Sequence, residues 1–76
     1  IASTKQLIND DAFVQDLTNL TGGTLNVLLP VAPNLGKQFL IINELNSTGN
    51  LLINSAVIFP NDRYEVVWNG AAWIEI

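Results

Sequence analysis

The chain has 76 residues, seven Asp or Glu against three Lys or Arg, no Cys and no His, and 49% of its residues are hydrophobic. This inventory rules out disulfides and thiolate ligands, and it argues against a zinc centre or a histidine proton relay. The three scattered cations, Lys5, Lys37 and Arg63, in a chain of net charge −4 argue against nucleic acid or an anionic membrane as partner, and no apolar run approaches the roughly 20 residues of a spanning helix.

Ser3-Thr4-Lys5-Gln6 matches a capping box, with Ser3 as N-cap and Gln6 at the third helical position. It predicts a short helix from Thr4 to about Asn9. Asn9-Asp10-Asp11 then reads as a turn or a second cap, which sets residues 1–11 apart as an N-terminal connector or short helix. Residues 12–76 read as one β-domain. Phe13, Gln15 and Leu17 alternate with Val14 and Asp16, as a strand does. Leu20-Thr21-Gly22-Gly23 is a turn, its glycines supplying positive φ. Thr24 to Leu29 alternates cleanly and puts Leu25, Val27 and Leu29 on one buried face. Pro30 stops that strand, because it has no N–H for the ladder.

Val31 to Gly36 is a loop. Lys37 to Asn43 is a strand whose middle is apolar on both faces, which implies cover on both sides. Leu51-Leu52-Ile53 and Ala56-Val57-Ile58-Phe59 are short strands around Asn54-Ser55, and Pro60-Asn61-Asp62 is a turn. Arg63 to Trp68 and Ala72 to Ile76 form a terminal hairpin around Asn69-Gly70, a pair that suits a tight turn needing positive φ at both positions. Turn signals every 8–12 residues are those of sandwiches and barrels. The expectation is an all-β, small antiparallel β-sandwich or barrel-like module of six or seven short strands. Ten Asn residues fall nearly all at turns, where turn chemistry accounts for them.

Candidate sites are few. Ser3, Ser47 or Ser55 with Lys5 or Lys37 could supply a nucleophile and a base, but no motif links them, so the chain reads as a non-enzyme without cofactor. Asp10-Asp11 with Asp16, Glu44 or Asp62 could offer oxygens to a hard cation, but no spaced Asp-x-Asp-x-Asp-Gly loop exists. Asp10 and Asp11 read as caps, and no metal is expected. Tyr64, Trp68 and Trp73 could stack on the apolar faces of sugars, since rings at this spacing meet across a hairpin. Asn19-Leu20-Thr21 and Asn46-Ser47-Thr48 match the N-glycosylation pattern, which is common by chance in an Asn-rich chain.

A chain this small buries only about 60% of its unfolded surface and usually needs a staple. With no disulfide or metal to serve, the expected staple is self-association, covering the apolar strand of the terminal hairpin with another copy. The residues expected to form the core or the oligomer interface are Leu25, Val27, Leu29, Phe39, Ile41, Val66, Trp68, Trp73 and Ile76.

Gly23-Thr24-Leu25-Asn26-Val27-Leu28-Leu29-Pro30, followed by Gly36-Lys37-Gln38-Phe39-Leu40-Ile41-Ile42-Asn43, resembles a segment recurrent in bacteriophage fibre and tail-spike proteins. The ending Trp68-Asn69-Gly70-Ala71-Ala72-Trp73-Ile74-Glu75-Ile76 is similar to the close of the same modules. The likeness spans residues 12–76. The resemblance implies a homotrimer of β-folded chains exposed on a virion as a head fibre, tail fibre or spike, assembled in the host cytoplasm. It also implies a part in host attachment, with other virion proteins joined through the N-terminal segment. A small carbohydrate-binding module using exposed aromatics is the alternative. The Asn54 to Pro60 segment departs from the family pattern, which has longer Gly/Ser-rich turns.

Overall fold

The computed structural model describes every residue from Ile1 to Ile76 and consists of strands and turns without a helix. The strands are β1 (Lys5–Gln6), β2 (Val14–Leu17), β3 (Leu25–Leu28), β4 (Gln38–Asn43), β5 (Leu51–Ile53), β6 (Ala56–Ile58), β7 (Asp62–Trp68) and β8 (Trp73–Glu75). They form two four-stranded sheets, in the order β1-β3-β5-β6 and β2-β4-β7-β8. The dimensions are 34 × 20 × 20 Å.

From β1 to β5 the chain changes sheet at every connection. Successive strands of one sheet therefore run the same way. β1 pairs parallel with β3, β3 with β5, and β2 with β4, in the register Val14↔Leu40 to Leu17↔Asn43. Only the second half turns back on itself: β5 pairs antiparallel with β6, and β4 with β7 and β7 with β8. The expected antiparallel sandwich is thus corrected to a flattened coil of mixed sheets capped by hairpins. The reason is that the turns at Gly22-Gly23 and over residues 30–36 carry the chain across the core instead of back along one sheet. Local turn chemistry is the same for both routes.

The N-terminal helix is also corrected. Lys5 pairs with Val27 and Gln6 with Leu28, and the Leu7 N–H donates to the Leu28 carbonyl at 2.9 Å. The Gln6 amide donates to the carbonyls of Leu7 and Leu28 and closes no capping box. A six-residue helix is below the length that stands alone, whereas the extended form buries Leu7 completely. Leu7 thereby joins the core that the segment 12–76 builds.

That core lies between the sheets. Val27, Leu51, Ile53 and Ile58 come from one sheet, and Leu17, Phe39, Ile41, Tyr64 and Val66 from the other. Each full burial contributes on the order of 1.5–3 kcal/mol. The alternation read for residues 24–29 is realised, with Val27 buried, Leu25 and Leu29 packed against the core, and Leu28 facing out.

The terminal hairpin forms in the register Trp68↔Trp73. Its loop is longer than a two-residue turn. Only Gly70 has positive φ, at 98°. Asn69 works through its side chain instead, its Oδ1 accepting from the N–H groups of Ala71 and Ala72 at 2.8 Å each. Short polar side chains that bond the backbone two residues on do this routinely.

Turn chemistry does not cover all ten Asn residues, because Asn19 and Asn43 are fully buried. The Asn19 amide donates to the carbonyls of Gly23 and Asn50 at 2.9 Å each, and its Oδ1 accepts from Thr21 N–H and Oγ1–H. Its N–H donates to Ser47 Oγ, and its carbonyl accepts from Thr48 and Gly49 N–H. The Asn43 amide donates to the Gly49 and Ile58 carbonyls, while its Oδ1 has no partner.

Candidate functional site

The strand ends away from these amides leave the sandwich open. There Trp68 and Trp73 point inward from β7 and β8, on the same side as Val66. Their ring centroids lie 5.7 Å apart at 58°, and Trp73 meets Phe39 at 5.7 Å and 40°. Tilted pairs of this kind suit the ring quadrupoles. The Trp73 indole N–H donates to the Pro30 carbonyl at 3.0 Å and ties the hairpin to the loop after β3. Lys37 covers the far side, its Nζ 4.9 Å from the Phe39 ring centroid and donating to the Asp11 carbonyl at 2.8 Å.

Between these parts runs a groove of about 380 Å³, lined by residues 27–32, Asn54, Trp68 and Trp73. One lip is Val31, 95% exposed. Beside it Ala32 has φ +49°, a left-handed conformation that costs an alanine about 1–2 kcal/mol. Pro30 and Pro33 bracket the pair and stiffen the loop. Across the groove, Asn54 and Ser55 also take positive φ in the β5–β6 turn. No charged residue lines the groove, and Asn54 is the one residue there with an amide side chain.

The aromatic trio read from sequence separates. Trp68 and Trp73 form the groove wall, but Tyr64 is 6% exposed and belongs to the core. Its hydroxyl meets only the Asn54 amide, at 3.5 Å. A sugar face cannot reach its ring, so Tyr64 is withdrawn as a glycan contact. The loop over residues 29–32 was missed as a wall. The signal for it was an apolar Val between two prolines, where a polar turn residue is usual.

Among the residues expected in the core or interface, Val27, Phe39, Ile41 and Val66 are buried, and Leu25, Leu29 and Trp73 pack against them. Ile76 is 64% exposed and lies outside the core. The registers place it on a second surface, the outer face of the β2-β4-β7-β8 sheet. Three rows of side chains point outward there. Gln38, Val67 and Ile74 make the first. Val14, Leu40, Glu65 and Ile76 make the second, Ile76 N–H bonding the Glu65 carbonyl. Asp16, Ile42 and Arg63 make the third. Six of these ten side chains are apolar, and Val14, Ile74 and Ile76 are exposed. The second apolar face read for residues 37–43 is therefore real in Leu40 and Ile42, and this chain leaves it half-covered.

The acidic side chains do not converge. No group of three or more Asp, Glu, Cys or His side chains gathers. Asp11 accepts from Ile8 N–H at 2.8 Å, Glu44 from Asn46 N–H at 2.7 Å and Asp62 from Arg63 N–H at 2.8 Å, so each bonds a backbone N–H within three residues of itself. Of the two glycosylation patterns, the one at Asn19 is inaccessible in the folded chain, since that side chain is buried and fully bonded. Compared with protein-family models, curated proteins and solved structures, the chain shows no significant match.

Proposed function

We propose that the chain is a non-enzymatic structural module of a phage fibre or spike, working as a homotrimer on the virion and taking part in host attachment. The observation that carries this reading is the outer face of the β2-β4-β7-β8 sheet, where apolar side chains outnumber polar ones. Contiguous apolar surface of this kind marks interfaces. Copies of the chain are its natural cover, because the fold has neither disulfide nor charge network to stabilise it alone. The likeness of residues 23–43 and 68–76 to fibre modules supports the same reading. Other virion proteins would join through the N-terminal segment.

Light scattering after size exclusion tests it. The expected mass is three times the 8.3 kDa of one chain. A mass of one chain across micromolar concentrations contradicts it.

The groove favours a second reading, a carbohydrate-binding module. Trp68 is half-exposed along the groove, and the Asn54 amide beside it makes only long contacts, of 3.5 Å. Tryptophan emission titrated with an array of host-surface oligosaccharides checks this. A saturable shift that Trp68→Ala removes supports it, and unchanged emission throughout refutes it.

A further inference from the structure

The outer face of the β2-β4-β7-β8 sheet has a charge pattern that the apolar count does not convey. In its third row, Asp16 stands on β2, the margin of the sheet. Ile42 follows on β4. Arg63 stands on β7, and β8 does not extend to that level, because its pairing covers only residues 66–68 of β7. Arg63 is thus the opposite margin of the same row. Two strand spacings, about 9.5 Å, separate the two backbones. One carboxylate and the face's one cationic side chain stand at equal height on opposite edges, and the N-terminal ammonium, bonded to the Thr18 carbonyl, adjoins the β2 edge.

The second row has the matching apolar arrangement. Val14 stands at the β2 margin and Ile76 at the other, with Leu40 and Glu65 between.

We propose that copies of the chain meet through this face, all pointing the same way around an axis parallel to the strands. The β2 margin of one copy lies against the β7–β8 margin of the next. Asp16 then pairs with Arg63 of the next copy at one level, and Val14 packs on Ile76 of the next copy one row along. Contacts between two different margins are heterologous, and they close into a ring when the rotation from one copy to the next divides a full turn. An antiparallel arrangement would bring Asp16 level with the first row of the next copy, where Gln38 and Ile74 offer no charge. This proposal rests on the self-association reading and adds the surface and the pairing.

The test is charge reversal at two exposed side chains, neither of which the fold uses in its core. Arg63→Glu alone and Asp16→Arg alone each put like charges together at every interface. Each is expected to raise the concentration at which the assembly half-dissociates by at least about tenfold. The double variant Arg63→Glu with Asp16→Arg restores the pair with its sign inverted, and it is expected to recover the wild-type mass. Circular dichroism of each variant checks that the strands persist. If both single variants keep wild-type association, or the double variant stays as weak as the singles, this surface is wrong while self-association stands. If the wild-type chain itself has the mass of one chain, self-association fails, and this surface with it.

Discussion

At one end of the sandwich, Asn19, Asn43, Ser47 and Gly49 close the gap between the sheets with amide and backbone hydrogen bonds. At the other, Trp68 and Trp73 form the wall of a groove above the loop over residues 29–32. Both ends tie distant segments together. The first does so with donors and acceptors that each need a stated partner. The second uses ring area and one indole hydrogen bond. Buried polar closure tolerates little change, because a lost partner strands a desolvated group. An aromatic wall loses packing in proportion to the area removed. The polar end thus specifies how the coil is wound, and the aromatic end leaves a groove beside Trp68 and Trp73.

Substitutions break this contrast in a definite order. The largest effect is expected from Gly49→Ala. A Cβ there falls inside contact distance of the Gly23 carbonyl oxygen and 2.7 Å from Asn19 Nδ2, neither of which can withdraw without opening the polar end. The loss should exceed about 4 kcal/mol, enough to prevent folding in so small a domain. Circular dichroism and urea unfolding read it, and a melting temperature within a few degrees of wild type contradicts the close packing described. Asn19→Ala comes next, at about 3 kcal/mol, since it leaves the Gly23 and Asn50 carbonyls and the Thr21 N–H without partners.

The aromatic end is expected to respond less. Trp73→Ala removes a partly buried ring and the bond to the Pro30 carbonyl, and should cost about 2 kcal/mol, below the 3–5 of a fully buried tryptophan. Thermal unfolding checks it, with about 4–8 °C per kcal/mol for a domain of this size. The smallest effect has the opposite sign. Ala32→Gly relieves the left-handed alanine and should stabilise the chain by up to about 1 kcal/mol, net of the added freedom of glycine in the unfolded chain. A destabilised Ala32→Gly protein would mean that the Ala32 methyl makes contacts that outweigh its backbone strain.

The same contrast divides what the sequence made legible. From β2 onward, strand positions followed from alternation and from Pro30, Gly70 and the Asn54-Ser55 break, because these signals are local. Apart from the terminal hairpin, pairing partners did not follow. Whether Gly22-Gly23 sends the chain back along its sheet or across to the other depends on Leu17 and Leu25 facing a shared core from opposite sides. No local pattern records that. The burial of Asn19 and Asn43 was not legible for a related reason: their residue type is common in turns, and only the three-dimensional arrangement supplies the carbonyls that make their burial favourable. Trp68 and Trp73 were legible as neighbours across a hairpin, and Tyr64, four residues earlier on the same face, sits deeper between the sheets. The second apolar face of Leu40 and Ile42 was legible outright, because two consecutive outward positions in one strand are apolar.

Under the proposed function, copies of the same chain complete this half-covered face. The most direct measurement is the melting temperature over a hundredfold range of protein concentration, taken with the solution mass at each step. If association stabilises the folded chain, mass action raises the melting temperature with concentration, and the mass falls from three chains towards one on dilution. A melting temperature independent of concentration, at a constant mass of one chain, would contradict the account.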